Sequence, residues 1–351
     1  MKTISVSTEG RYDVLVDCNW RHELLRIVNG RTRIAIVHSS SMSKQVRLDE
    51  EIDGEVFYFS VPDGEDAKSF STISKLWDWL GAAGFTRSDL IVGIGGGAVT
   101  DVAGFAAASW LRGVDWVGVP TSVAGMVDAS IGGKTGINSG YGKNLIGAFH
   151  SPIAVLIDTS WLKSLSDRDF SAGMAEVIKC GFISDNEIIN KLSGLSLNQL
   201  QANRDLVIEL IERAVQVKVD VVSSDFKESF AREVLNYGHT LGHAIEIHSK
   251  YSLRHGEAIS IGLVFAAELA EIKGYLSPKI VDMHRSLLSA LELPTTYPRD
   301  AWSTLAPLLA LDKKSRGKTL RFVAISAIGT TLRIDDASEE ELSAAYERVS
   351  V

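Results

Sequence analysis

Short runs rich in β-branched and apolar residues punctuate the amino-terminal half of the chain: YDVLVD, RIAIVH, EVFYFSV, LIVGIG, VDWVGVP and AVLIDT, all within residues 12–159. Between them lie stretches with helical periodicity, and this alternation predicts a mostly parallel sheet with helices on its faces. Beyond residue 160 the pattern changes to long helical segments, interrupted only by a strand pair around LRFVAIS and TTLRID. The expected architecture is therefore an α/β domain with a mostly parallel sheet over 1–160 and a mainly helical, all-α domain over 161–351. No repeat and no Pro/Ser linker separates the halves, so a cleft between them is the expected ligand site. One helical stretch departs from the apolar rule. If residues 231–247 form one helix, Arg232, Asn236, His239 and His243 fall at i, i+4, i+7 and i+11, a polar stripe where a core helix needs an apolar one. Gly238 and Gly242 precede the two histidines and would let another backbone come close.

Composition narrows the classes. A chain of 351 residues exceeds one comfortable core, and its 45% hydrophobic content suits packed globular domains. A net charge of −8 without a Lys/Arg block argues against general binding to nucleic acid or anionic membranes. Cys18 and Cys180 form no CxxC pattern, which favours a reducing compartment. With no signal-like amino-terminal run and no apolar stretch long enough to span a bilayer, the expectation is a soluble cytoplasmic protein.

Candidate chemistry then falls at a few places. The segment GIGGGAVTD, containing Gly96, Gly97, Ala98 and Asp101, lies between a strand and a helical run, where free N–H groups can meet a pyrophosphate. A tight turn without a ligand would look similar. RIAIVH does not end in the acidic residue that usually holds a ribose, and Asp63, Gly64, Glu65 and Lys68 after the next strand are the substitute; a solvated turn is their plain alternative. DASIGGKT resembles the end of a phosphate-binding P-loop, but Asp128 stands where its first glycine belongs, so no Walker ATPase is indicated. The segment on to Phe149 is expected to be a long functional loop carrying Lys134, Lys143 and Asn144. Arg112 after a helix is another anion contact or a solvated helix-end charge. Glu176 and Lys179 at i, i+3 form an ion pair or part of a site. A carboxylate with two of the imidazoles His239, His243 and His255 would suit a catalytic zinc with an open position. Lys218 interrupts an apolar helix, Glu228 precedes the polar stripe, and Lys313 and Lys314 add charge near the end.

The segments PDGEDAKS, GGGAVTDVAGFAAASWLRGV, VPTSVAGMVDASIGGKTGIN, GKNLIGAF, GMAEVIKCGFI, LNYGHTLGHAIE, RHGEA and DKK occur in an order that resembles the 3-dehydroquinate synthases of the shikimate pathway, within the sugar-phosphate cyclases. The resemblance implies Glu176, His239 and His255 as ligands of zinc, with cobalt as an alternative, and moves His243 to the reacting centre. It implies NAD contacts from Asp63, Gly64, Glu65, Lys68, Gly96, Gly97, Ala98, Asp101, Thr121, Ser122, Asp128, Lys134 and Lys143. Thr121 and Ser122 stand where the family more often has two threonines, and the hydroxyl is kept. Lys134, Asn144, Lys179, Lys218, Arg232 and Asn236 are implied around a sugar-phosphate substrate, and Lys179, His243 and Glu228 in proton handling. Arg112 with Lys313 or Lys314 is implied at the phosphate, Arg112 across a homodimer interface. The implied reaction oxidises 3-deoxy-D-arabino-heptulosonate 7-phosphate transiently, eliminates phosphate, reduces the ketone and closes a carbocycle by aldol addition. Related cyclases acting on neutral sugar phosphates, a metal-dependent polyol dehydrogenase and a non-catalytic nucleotide-binding protein are the alternatives.

Overall fold

The computed structural model describes residues 1–48, 52, 54–227, 231–316 and 320–351, the side chains of 310–316 excepted. The chain forms two compact units, Met1–Leu165 with Lys218–Lys227, and Ser166–Val217 with Glu228–Val351. The chain thus returns to the first unit once: the last seven residues of one long helix, 218–224, and the three that follow belong with it.

The first unit is built on β1 (Lys2–Ser7), β2 (Arg11–Val16), α1 (Trp20–Val28), β3 (Arg33–Ser39), β4 (Glu55–Val61), α2 (Phe70–Ala82), β5 (Leu90–Gly95), α3 (Gly97–Ser109), β6 (Asp115–Pro120), β7 (Lys134–Ser139), β8 (Gly142–Phe149) and β9 (Ala154–Ile157). Seven strands make one sheet in the order β1-β2-β9-β6-β5-β3-β4. Only the β1–β2 pair is antiparallel. The interior strand β5, LIVGIG, is buried at every position, as expected where helices cover both faces. Alternation sorts β3 onto two cores. Ala35 and Val37 join Leu76 of α2 and Val102 of α3 on one face, while Ile34 and Ile36 join Leu24 of α1 on the other. Each of the Val, Ile and Leu side chains among them stabilises the fold by about 1.5–3 kcal/mol on burial. The chain winds outward from β3 to β4 and then back past β3 to β5, so the strand order reverses between β3 and β5. In open α/β sheets the crevice at the carboxyl ends of such strands is where ligands bind. The expected long loop after Asp128 is instead the antiparallel hairpin β7–β8. Its glycines misled the sequence reading: Gly136 and Gly147 face each other so closely that a Cβ on Gly136 would sit 2.6 Å from the Ile146 carbonyl oxygen.

The second unit comprises α4 (Asp167–Ile183), α5 (Asn186–Leu192), α6 (Leu197–Ala202), α7 (Arg204–Ser224, shared with the first unit), α8 (His239–His248), α9 (His255–Ile272), α10 (Pro278–Ala290), α11 (Trp302–Arg316), β10 (Phe322–Ala327), β11 (Thr330–Ile334) and α12 (Glu339–Arg348). It is helical apart from the β10–β11 hairpin, where the strand pair was expected. α9 is buried at every position from Gly256 to Ala270, which makes it the central helix, packed by α4, α8, α10 and α12. The continuous helix expected over 231–247 is broken. Ala231–Asn236 form a 3-10 turn, Gly238 takes φ 79°, and α8 starts only at His239. A positive φ is cheap only for glycine, so this residue redirects the chain. Arg232 and Asn236 thus lie on a different element from His239 and His243.

Candidate active site

α4, α8 and α9 bring Glu176, His239 and His255 together. Both His239 and His255 are first residues of their helices, while Glu176 sits mid-helix and is 1% exposed. The close crossing of α8 and α9 depends on small residues, since a Cβ on Gly262 would overlap the Gly238 carbonyl oxygen at 1.9 Å. The Nε2 atoms of His239 and His255 lie 3.6 and 3.3 Å from Glu176 Oε1. Ligand atoms around a tetrahedral zinc, each about 2.0–2.2 Å from the ion, stand about 3.3–3.5 Å apart. The outer nitrogens are fixed as well. Nδ1 of His239 is 3.1 Å from the Tyr237 carbonyl oxygen, which can only accept, so the proton sits on Nδ1 and the Nε2 lone pair points to a carboxylate. Acceptor facing acceptor in a buried place calls for a cation between them, and the donor set fits a divalent metal. Nδ1 of His255 lies 3.2 Å from Glu246 Oε2. Burial, then the Lys179 charge, pushes His239 well below its ordinary value. Burial would lower His255 too, but the Glu246 and Glu176 carboxylates outweigh it and raise the ring to about 10. Among the described residues a second group, His243, Glu246 and His255, also gathers ligand-type atoms, yet Glu246 occupies the back nitrogen of His255.

Lys179, one turn after Glu176 on α4 and equally buried, is ion-paired with Glu176 Oε2. His243 is exposed, its ring centroid 5.2 Å from that of His239 and 6.1 Å from that of His255. Arg232 is 1% exposed and Asn236 half-buried in the 3-10 turn. Glu228 lies outside the described residues, as do the side chains of Lys313 and Lys314.

In the first unit the candidates collect at the carboxyl edge of the sheet. Gly96, Gly97 and Ala98 form the β5–α3 turn, whose glycine at position 95 is required because a Cβ there would meet Val99 Cγ2 at 2.6 Å. Asp63, at the end of β4, accepts from the Ser40 hydroxyl at 2.9 Å and the Ser41 hydroxyl at 2.7 Å after β3, and these bonds, Ser41 first, hold its carboxyl below the usual range. Gly64 and Glu65 continue into a 3-10 turn. Lys68, 4% exposed, donates to Asp101 at 2.5 Å and also to Asn144 Oδ1. Burial raises the Asp101 carboxyl although Lys68 opposes it. Glu65 accepts from Asn138 at 2.7 Å and pairs with Lys143 at 3.7 Å. Thr121 and Ser122 follow β6 at the same edge, and the Ser122 hydroxyl accepts from the Gly125 N–H at 3.3 Å. Asp128 is ion-paired with Lys218, so Lys218 belongs to the first unit and Arg232 to the second. Lys134 opens β7 and is exposed. Arg112 stands apart: α3 returns the chain to the start of β6, so this exposed residue, with φ 68°, lies at the amino edge.

The family description "3-dehydroquinate synthase N-terminal" matches residues 58–172, and "3-dehydroquinate synthase C-terminal" matches residues 173–315. The chain belongs to the 3-dehydroquinate synthase family. A curated 3-dehydroquinate synthase from Thermobifida fusca is 48% identical over 348 residues, 98% of this chain and 95% of that one. Among solved structures, the 2-epi-5-epi-valiolone synthase of Streptomyces hygroscopicus subsp. jinggangensis with NAD+ and Zn2+ bound has a TM-score of 0.89 at 26% identity, covering 99% of this chain and 98% of that one. A 2-deoxy-scyllo-inosose synthase complexed with carbaglucose-6-phosphate, NAD+ and Co2+ has a TM-score of 0.86 at 25% identity, covering 99% of each chain. Both solved relatives are sugar-phosphate cyclases, so this member of the 3-dehydroquinate synthase family shares its fold with the wider cyclase group. Among the described residues no helix is long and apolar enough to cross a membrane.

Sequence reasoning passed over Tyr237, Glu246 and His284 in this member of the 3-dehydroquinate synthase family. Glu246 carried a signal, a carboxylate one turn after His243. Tyr237 acts through its backbone, which no residue pattern marks.

Proposed function

We infer that the chain converts 3-deoxy-D-arabino-heptulosonate 7-phosphate to 3-dehydroquinate and phosphate, as a carbon–oxygen lyase working in the cytoplasm. The observation that carries this reading is the group of buried Glu176 and His239 with half-buried His255, both Nε2 atoms turned to one carboxylate oxygen, in a chain whose family match spans both units. Bound at these residues, a nicotinamide would supply reversible hydride acceptance, and zinc, or cobalt, would supply Lewis-acid polarisation of a substrate alcohol.

The chain's own groups divide the remaining work. Glu176, His239 and His255 would hold the ion and leave a position for substrate oxygen. Gly96, Gly97 and Ala98 would present N–H groups at the start of α3 to the pyrophosphate. Asp63, Gly64, Glu65, Lys68, Asp101, Thr121, Ser122, Asp128, Lys134 and Lys143 would complete the dinucleotide site. Lys179 holds a proton beside Glu176, and His243, exposed next to both ligand rings, can pass one outward, with Glu228 assisting. Lys218 and Arg232 serve the substrate carboxylate through charge-assisted bonds. Asn144, Asn236 and Lys134 hold hydroxyls, and Lys313 or Lys314 the phosphate. Arg112, at the amino edge, would serve the site of a second copy in a homodimer.

Purified protein supplied with NAD+, zinc and the heptulosonate phosphate should release phosphate and 3-dehydroquinate in equal amounts, with no net reduced nicotinamide. Stoichiometric build-up of reduced nicotinamide would assign a polyol dehydrogenase instead. Preferential turnover of a sugar phosphate lacking the carboxylate would assign a different cyclase.

A further inference from the structure

His284 lies on the apolar face of α10, in line with Val281, Leu287 and Leu288, and is fully buried. A histidine that only filled space there would be better replaced by phenylalanine, because burying a polar ring costs free energy unless its nitrogens are bonded. Both nitrogens are bonded. Phe182 of α4 stacks on the ring with centroids 3.5 Å apart and planes 6° from parallel. Nδ1 lies 2.7 Å from the Ile280 carbonyl oxygen and Nε2 lies 2.8 Å from the Tyr237 hydroxyl. A carbonyl only accepts, so Nδ1 carries the proton and Nε2 accepts from Tyr237. Burial keeps the ring neutral by lowering its pKa to about 4, which preserves that acceptor.

Tyr237 is where this chain of contacts meets the ligand cluster. Its side chain is fully buried, and its carbonyl oxygen takes the Nδ1–H of His239 at 3.1 Å. The next residue is Gly238 at φ 79°, and a peptide beside glycine has wide rotational freedom. The Tyr237 N–H reaches the Val234 carbonyl oxygen at 3.3 Å and the Gly238 carbonyl takes the Gly242 N–H at 3.1 Å, and the buried Tyr237 side chain adds a third anchor to the peptide between them. We propose that His284 is a positioning residue for the metal centre: by anchoring the Tyr237 side chain it fixes the Tyr237 carbonyl, which aims the His239 imidazole at Glu176. The anchor runs from α10 through the 236–238 junction to α8, with Phe182 tying it to the helix that carries Glu176. The proposal rests on the ligand assignment made above.

The test uses the full chain stripped of metal, with zinc affinity read by competition against a chromophoric chelator and the metal-free melting temperature measured alongside. His284→Phe keeps the stack on Phe182 and removes the acceptor; Tyr237→Phe removes one oxygen atom. Each should weaken zinc binding about 3- to 10-fold, less than the roughly 10- to 100-fold cost of losing the direct outer partner of a ligand histidine, because the Tyr237 carbonyl remains. The double variant should be no weaker than the poorer single, because both remove the same hydrogen bond. His284→Gln, whose amide oxygen can accept from Tyr237, should recover part of the loss. Unchanged zinc affinity in both single variants, whatever happens to the melting temperature, would overturn the proposal and leave a purely structural ring. If His284→Phe does not fold, Tyr237→Phe decides alone. Failure of the unaltered chain to bind zinc would instead remove the ligand assignment, and the proposal with it.

Discussion

At the carboxyl edge of the first sheet, the candidate groups sit on turns that the strand order brings together: the β5–α3 turn, the 3-10 turn after β4 and the segment after β6. In the second unit the work falls to side chains, three of them drawn from α4, α8 and α9, each ring held from behind by another residue. The first arrangement follows from topology, since strand order alone creates the crevice. The second exists only after three helices have packed. A site on turns placed by topology thus fails on an added Cβ at its glycines, whereas a site of converging side chains fails on the loss of one nitrogen.

His255→Ala should break the second half of this contrast most sharply. It should abolish stoichiometric zinc and lower turnover by on the order of a thousandfold or more, as loss of several kcal/mol of charge stabilisation requires. Elemental analysis of the purified variant checks it, and normal metal content would show that the ring is no ligand. Lys68→Met addresses the first unit's own buried charges. Removing one partner of a buried pair beside Asp101 should cost about 3–5 kcal/mol in denaturant unfolding while zinc content stays at the level of the unaltered chain. A fall in zinc content would deny that the two sites are built independently. The smallest effect is a pH slope. His284 is held neutral in the fold, with its pKa lowered from 6.5 to about 4, so protons bind the unfolded chain more readily in that window. Its contribution is complete above 6.5 and is lost as pH falls toward 4, amounting to no more than about 3 kcal/mol. Acid unfolding of His284→Phe should show a shallower slope across that window; an unchanged slope would place the titration elsewhere.

The same contrast explains what could be read before the structure. The strands β2 to β6 and β9, the glycine turn and the acid after β4 all follow from local pattern, because a period of two and a turn residue act over a few positions. In the second unit a carboxylate with two of three histidines was legible from residue type, but the choice of His239 and His255 over His243 came only through resemblance, since nothing in the spacing says that α4 and α9 adjoin. The polar stripe was misjudged at one point. Helical periodicity runs straight through Gly238, whose φ of 79° ends it. Tyr237 and His284 read as ordinary core residues, and Val281, Leu287 and Leu288 around His284 reinforce that reading. β1 was missed because KTISVS offers few apolar residues, only alternate positions facing the core.

The return of Lys218–Lys227 to the first unit bears on how the protein is made. Asp128 leaves the ribosome 90 residues before its partner Lys218, an interval of roughly 5–20 s at ordinary rates of translation. Through that interval the nascent first unit lacks the ten residues that complete it, seven of them from a helix that belongs mostly to its neighbour. A fragment ending at Leu165 would be held at that unfinished stage for good.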